Sequence, residues 1–118
     1  MNRIFEVAIT ILFFLNALFI IPCQETISVA SFNLGIFGPS KSANPYVLDA
    51  ISHIIRYFDV VAVQEIRDKE GLSITRLLDA VNRSGYEYAL SVSPRLGHTS
   101  SKEQYAVFYR KNLLEIEK

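Results

Sequence analysis

Residues Val60-Val61-Ala62-Val63 run directly into Gln64-Glu65-Ile66-Arg67-Asp68, and no other stretch constrains the fold as much. Four apolar residues of strand-forming type, entered from Asp59, predict a strand buried on both faces of an open sheet. The polar cluster then falls at the C-terminal end of that strand. A carboxylate held there must be paired or bound to a cation. It is also the end at which open sheets hold ligands. Two readings stay open on this stretch alone: Glu65 forms a structural ion pair with Arg67, or it faces a ligand.

The flanking segments give the strand its partners. Ile27 to Leu34 alternates loosely and predicts a first strand, followed by a loop from Gly35 to Ala43. Asn44 then caps a helix with Pro45 at its first position. Its apolar stripe is Val47, Leu48, Ile51, Ile54, Ile55 and Phe58. A second helix is predicted from about Gly71 to Arg83, with Ile74, Leu77, Leu78 and Val81 inward and Ser84-Gly85 as its stop. Tyr86 to Val92 alternates as a third strand, Ser93 to Glu103 is a polar loop, and Gln104 to Arg110 is a fourth strand. The order is β-α-β-α-β-β.

A strand, a helical crossover and a strand are parallel and right-handed. The first two strands therefore end at one rim, which brings Asn33 and Glu65 together. An amide and a carboxylate there suit a hard divalent cation or a phosphate oxygen. Mg²⁺ takes one or two protein carboxylates and fills its shell with water and phosphate. Asn33 has an alternative role, satisfying backbone groups of the following loop.

At 118 residues the chain has room for one domain. Residues Val7 to Ile21 carry no charge, too short a run for a spanning helix but suited to a secretory signal. Residues 1–23 are accordingly expected to be a signal peptide, with a retained signal anchor as the alternative because Ile21-Pro22-Cys23 lacks a small-x-small pattern, and residues 24–118 the domain. The only cysteine is Cys23, so no disulfide framework stabilises that domain. Twelve Lys and Arg balance twelve Asp and Glu, which excludes a simple basic coat for nucleic acid. Asn82-Arg83-Ser84 is a glycosylation sequon, usable on a secreted chain with an exposed turn.

Ser31-Phe32-Asn33, Val63-Gln64-Glu65-Ile66-Arg67-Asp68 and Ser101-Lys102-Glu103-Gln104-Tyr105, the last leading into Val107-Phe108-Tyr109-Arg110, together resemble the deoxyribonuclease I family. That family belongs to the endonuclease/exonuclease/phosphatase superfamily. The resemblance runs from about Ile27 to the end of the chain. It implies an α+β fold, a two-layer β-sandwich flanked by helices, of which this chain holds the first half. It implies a secreted, Mg²⁺- or Mn²⁺-dependent endonuclease acting on double-stranded DNA, with Ca²⁺ as a further cofactor.

Carried over by position, Glu65 matches the family's metal carboxylate and Asn33 the residue that helps place metal and phosphate. Glu103 matches a carboxylate that orients a catalytic histidine, and Arg67 an arginine that enters the minor groove. Lys102 and Tyr105 match the pattern beside Glu103, where Lys102 is otherwise a solvated charge and Tyr105 packing. His98 stands where relatives place a DNA-contacting arginine, Gly35 where they place a phosphate-contacting one, and Ser101 where they place a tyrosine. His53 reads as a solvated helix residue.

The family's catalytic histidines lie later in its sequence than this chain reaches. The 118-residue chain is therefore expected to be inactive alone and poorly soluble. Two other functions are compatible with these residues. One is a phosphatase or phosphodiesterase of the same superfamily acting on lipid or inositol phosphates. The other is a non-catalytic binding isoform. Some members bind actin, but no residues here carry that property. Once a leader is cleaved, no stable membrane association is expected.

Overall fold

In a computed structural model the described residues are 25–117, together with Arg3. Apart from Arg3, the expected signal peptide lies outside them. No helix of the described residues is long and apolar enough to cross a membrane.

Four strands, β1 (Val29–Phe37), β2 (Val60–Ile66), β3 (Tyr88–Val92) and β4 (Gln104–Arg110), form one sheet in the order β1-β2-β4-β3. β1 and β2 are parallel, as the crossover requires, and β4 runs antiparallel to both β2 and β3. The helices are a single turn α1 (Pro39–Ser42), then α2 (Pro45–Ile55) and α3 (Leu72–Val81). The expected mixed sheet with helices is thus present.

The helices begin where their sequences dictate. Asn44 Oδ1 accepts from the backbone N–H of Tyr46 at 3.0 Å and of Val47 at 3.4 Å, with Pro45 as the first helical residue. α3 is capped from a distance by Asp68, which accepts from Ser73 N at 2.7 Å and Ser73 Oγ at 2.6 Å. α2 buries Leu48, Ile51, Ser52 and Ile55, so its apolar stripe differs from the expected one: Ile54 is exposed and Ser52 takes an inward place. Ser52 can do so because its hydroxyl donates to Asp49 O.

One face of the sheet carries Ala30, Phe32, Val61, Val63, Ala106, Phe108, Tyr88 and Leu90, and the helices pack on it. The other face presents rows set by the register: Val29, Val60, Tyr109 and Ala89, then Ser31, Ala62, Val107 and Ser91. None of these is buried. The apolar run of β2 therefore does not mark burial on both faces, as its composition predicts, but burial on one and partial cover on the other. That second face is where a two-layer sandwich places its other sheet; the described residues hold one sheet.

Two expectations about boundaries fail for the same reason. β1 does not end at Leu34 but continues to Phe37, and a helical turn follows where a plain loop was expected. The strand passes through Gly35 (φ 59°) and Ile36 (φ 57°), both left-handed, which no strand pattern reveals. At the opposite end of the sheet, Asp59 accepts from Ser28 N and Ser28 Oγ and pairs with Arg110 at 3.2 Å. The Tyr88 hydroxyl donates to Phe58 O at 2.7 Å and accepts from Arg110 Nε at 3.1 Å.

Asn82, the sequon residue, is committed to the turn between α3 and β3. Its Nδ2 donates to Tyr88 O at 3.0 Å and its Oδ1 accepts from Tyr88 N at 2.7 Å.

Candidate active site

The parallel pairing sets Asn33 beside Gln64, one residue short of Glu65. Beyond this pair the register slips. From Asn33 to Phe37 β1 advances four residues while β2 advances two, from Gln64 to Ile66. Against β4, β2 itself carries one extra residue between Val63 and Ile66. The extra residue is Glu65 or its neighbour, and Glu65 holds a left-handed φ of 60°. A β-bulge of this kind re-aims a side chain. Backbone of this type in non-glycine residues is strained and clusters at functional sites.

The result is a built cradle for one carboxylate. Asn33 Nδ2 donates to Glu65 Oε1 at 2.8 Å, and the Ile36 backbone N–H donates to Glu65 Oε2 at 3.0 Å. Asn33 Oδ1 accepts from Gly35 N at 2.8 Å, which fixes which end of the amide faces Glu65. These donors hold the Glu65 carboxyl below its usual range: the Asn33 bond contributes most, then the Ile36 N–H, against desolvation, with smaller effects from Arg67 and Lys41. The side chain is a carboxylate at neutral pH and remains partly open to solvent. Each carboxylate oxygen keeps a second lone pair for a cation.

The ion pair between Glu65 and Arg67 is not formed. The bulge breaks the alternation that would put the two on one side, and Arg67 turns instead to Glu103 of the strand pair beyond. Arg67 Nε and Nη2 both donate to Glu103 Oε1, at 3.1 and 2.5 Å. Glu103 Oε2 makes no hydrogen bond among the described residues. The pair is partly exposed, with side-chain accessibilities of 33% and 27%, so its contribution to stability is modest. Glu103 is placed by a narrow hairpin, where Leu96 N donates to Glu103 O and Glu103 N to Leu96 O.

His98 and Lys102 lie exposed in that hairpin, and neither side chain makes a hydrogen bond or ion pair among the described residues. His53 is exposed on α2, edge-on to Tyr57. Tyr105 projects from β4 half-exposed. Asp68 is only 4% exposed and serves as the cap of α3, which separates it from the open rim.

Sequence reasoning missed two members of the site. One is the Ile36 N–H, hidden because it depends on the left-handed pair. The other is Lys41 in α1, whose Nζ donates to Leu34 O at 2.9 Å and also to Gly35 O. A lysine four residues after a strand carries no signal of its own. Gly38 also matters: a Cβ there would meet Arg67 O at 2.7 Å, and Arg67 N donates to Phe37 O at 2.8 Å. The two strand ends are thus pressed together behind the cradle.

A metal fits this donor set as a single protein carboxylate with water and phosphate completing the shell, the arrangement usual for Mg²⁺. No group of three or more His, Cys, Asp or Glu residues that would form an all-protein cage exists among the described residues. In this geometry Asn33 acts on the carboxylate through its Nδ2, a partner behind the ligand.

A carboxylate and an amide thus meet at the rim of a mixed sheet covered by helices on one face. Residues 30–118 match the profile of the endonuclease/exonuclease/phosphatase family, and the chain belongs to that family. Within it the similarity is to deoxyribonucleases. Deoxyribonuclease-1 of Gallus gallus is 34% identical over 103 residues, covering 86% of this chain and 36% of the relative. Deoxyribonuclease gamma of Homo sapiens is 33% identical over 93 residues, covering 76% and 30%. Deoxyribonuclease-1 of Homo sapiens is 35% identical over 86 residues, covering 72% and 30%. The chain spans about a third of the length of these relatives. The expected kinship with the deoxyribonuclease I family and the expected fold class are both borne out.

Proposed function

We propose that this chain contributes the metal-carboxylate half of a divalent-metal-dependent deoxyribonuclease that hydrolyses phosphodiester bonds of double-stranded DNA. The observation that carries the reading is the Glu65 carboxylate, held between Asn33 Nδ2 and the Ile36 N–H on a strained bulge. Its similarity to deoxyribonucleases supports DNA over other phosphoesters.

Glu65 would hold Mg²⁺ or Mn²⁺, with Asn33 fixing its orientation. When bound, the cation neutralises phosphate charge and the charge that develops on the leaving oxygen. Glu103 presents an unpaired Oε2 while Arg67 holds its Oε1. That free oxygen can accept an imidazole N–H and set its tautomer. Neither His53 nor His98 makes a hydrogen bond to Glu103. In this reading the general base comes from outside the described residues, and the chain alone is proposed to be inactive. The exposed edge of Arg67 faces DNA in this reading, with Lys102 and His98 contacting phosphate. A role for Ca²⁺ and secretion through the leader are proposed with it.

The test grafts residues 30–118 in place of the matched segment of Gallus gallus deoxyribonuclease-1 and follows nicking of supercoiled plasmid. The graft is expected to nick in Mg²⁺ and stop with EDTA. Glu65→Gln should lower the rate by roughly 100-fold or more, the scale at which loss of one preorganised charge group is felt. A Glu65→Gln graft as fast as its parent overturns the proposal, and nicking by the 118-residue chain alone overturns its inactivity.

A further inference from the structure

We infer that Lys41 is a positioning residue for Glu65: its ammonium holds the β1 bulge in the one conformation that aims the Ile36 N–H at the carboxylate. The inference deepens the metal-carboxylate reading above and rests on it. Its physical basis is the pair of consecutive left-handed residues, Gly35 (φ 59°) and Ile36 (φ 57°). The N–H groups of this turn serve two different acceptors. Here those groups are Gly35 N, spent on Asn33 Oδ1, and Ile36 N, spent on Glu65 Oε2.

The carbonyls of the same turn need a cation or donors of their own. Leu34 O and Gly35 O both receive Lys41 Nζ. One side chain thus satisfies both carbonyls while the turn's N–H groups serve Asn33 and Glu65. Ile36 is a β-branched residue in a region such residues avoid, so the turn persists only if its surroundings hold it. Lys41 is supplied by α1, the one-turn helix between β1 and α2, and its stem is partly buried there.

Two effects of the ammonium on a cation at Glu65 have opposite signs. Its charge repels the cation. Its hydrogen bonds to two carbonyls keep the carboxylate's donor in place. The Lys41 charge is the smallest of the influences on the Glu65 carboxyl, whereas its bonds to Leu34 O and Gly35 O fix the turn directly, so the positioning effect is the larger. Removing the ammonium should therefore weaken binding of a divalent cation, whereas simple repulsion predicts tighter binding.

The experiment uses the full chain, with Mn²⁺ as the probe, comparing wild type, Lys41→Met, Lys41→Arg and Glu65→Gln. Amide hydrogen exchange at Ile36 is read by NMR, with Val63 as an interior reference and circular dichroism as a check on folding. Mn²⁺ is then titrated and the selective broadening of the Asn33, Ile36 and Glu65 amides is followed. Lys41→Met is expected to speed exchange at Ile36 by about tenfold with Val63 unchanged, and to raise the Mn²⁺ concentration for half-broadening several-fold. Lys41→Arg keeps charge and donors and should restore most of both. Unchanged Ile36 exchange in Lys41→Met, or tighter Mn²⁺ binding, overturns the inference. If Lys41→Met proves unfolded, Lys41→Gln takes its place: faster Ile36 exchange and weaker Mn²⁺ response than wild type support the role, and exchange and Mn²⁺ response equal to wild type overturn it. If wild type and Glu65→Gln respond alike to Mn²⁺, the metal reading fails, and Ile36 exchange alone then decides the role of Lys41.

Discussion

At the scale of single residues, the site is a carboxylate whose two oxygens are each given one donor. Asn33 and Glu65 were legible in the sequence because parallel strands joined by a helix must end together, and each residue follows the apolar part of its strand. Their hydrogen bond at 2.8 Å follows from that topology. The Ile36 N–H and Lys41 were not legible, since both depend on backbone angles that side-chain pattern does not encode. The polar cluster after β2 also divides its labour in a way composition hides. Glu65 faces the rim, Arg67 takes Glu103, and Asp68 turns inward to cap α3. Asp68 accepts from Ser73 N, Ser73 Oγ and Glu70 N while only 4% exposed. Asp68→Ala leaves those donors without a partner and should cost about 2 kcal/mol in urea unfolding. Desolvation raises the Asp68 carboxyl, yet the bonds from Ser73, Glu70 and Leu72 outweigh it and the value lies below 3.8. A depressed folded value means the stabilisation is complete above about pH 4 and is lost as pH falls through the lowered value. Asp68→Asn should therefore flatten the acid limb of the stability–pH curve while leaving its slope near neutrality unchanged.

At the scale of elements, the bulge in β1 and its counterpart in β2 decide where the site can be. The sequence places every strand within a few residues, and β4 at its full length from Gln104 to Arg110, because alternation is clear where one face is buried. It fails at the end of β1, where alternation stops but pairing does not. Gly38 is the element-level requirement. Its φ is ordinary, but a Cβ would press to 2.7 Å of Arg67 O, a backbone atom that cannot swing aside. Gly38→Ala should destabilise by about 1–3 kcal/mol, as overpacking does. It should also shift the Ile36 and Glu65 amide resonances, since the same two segments form the cradle. Ile36→Gly should act oppositely on stability. The left-handed backbone costs an L-residue roughly 1–2 kcal/mol, which glycine avoids; its greater freedom when unfolded offsets only part of that gain. A gain in urea midpoint checks this.

At the scale of the whole molecule, one sheet covered by helices on a single face leaves the other face to be satisfied. Val29 is 69% exposed and Tyr105 47%, on a face where Val60, Ala62, Val107 and Tyr109 are partly open as well. Contiguous apolar surface of this kind promotes association. The chain alone should self-associate in sedimentation velocity as concentration rises. The double variant Val29→Lys, Tyr105→Lys should sediment as a smaller species with an unchanged circular dichroism spectrum. The helix-covered face was legible from the two amphipathic stripes; the open one was not, because the same apolar run in β2 fits burial on either face or both.

The central claim is that Glu65 is a divalent-metal carboxylate, and it is tested most directly by titrating Mn²⁺ into the labelled chain while recording its amide spectrum. The account predicts that the amides of Asn33, Gly35, Ile36 and Glu65 broaden first, that excess Mg²⁺ restores them, and that Glu65→Gln abolishes this order. Broadening that spares this cradle in the wild type, or that persists there in Glu65→Gln, would contradict it.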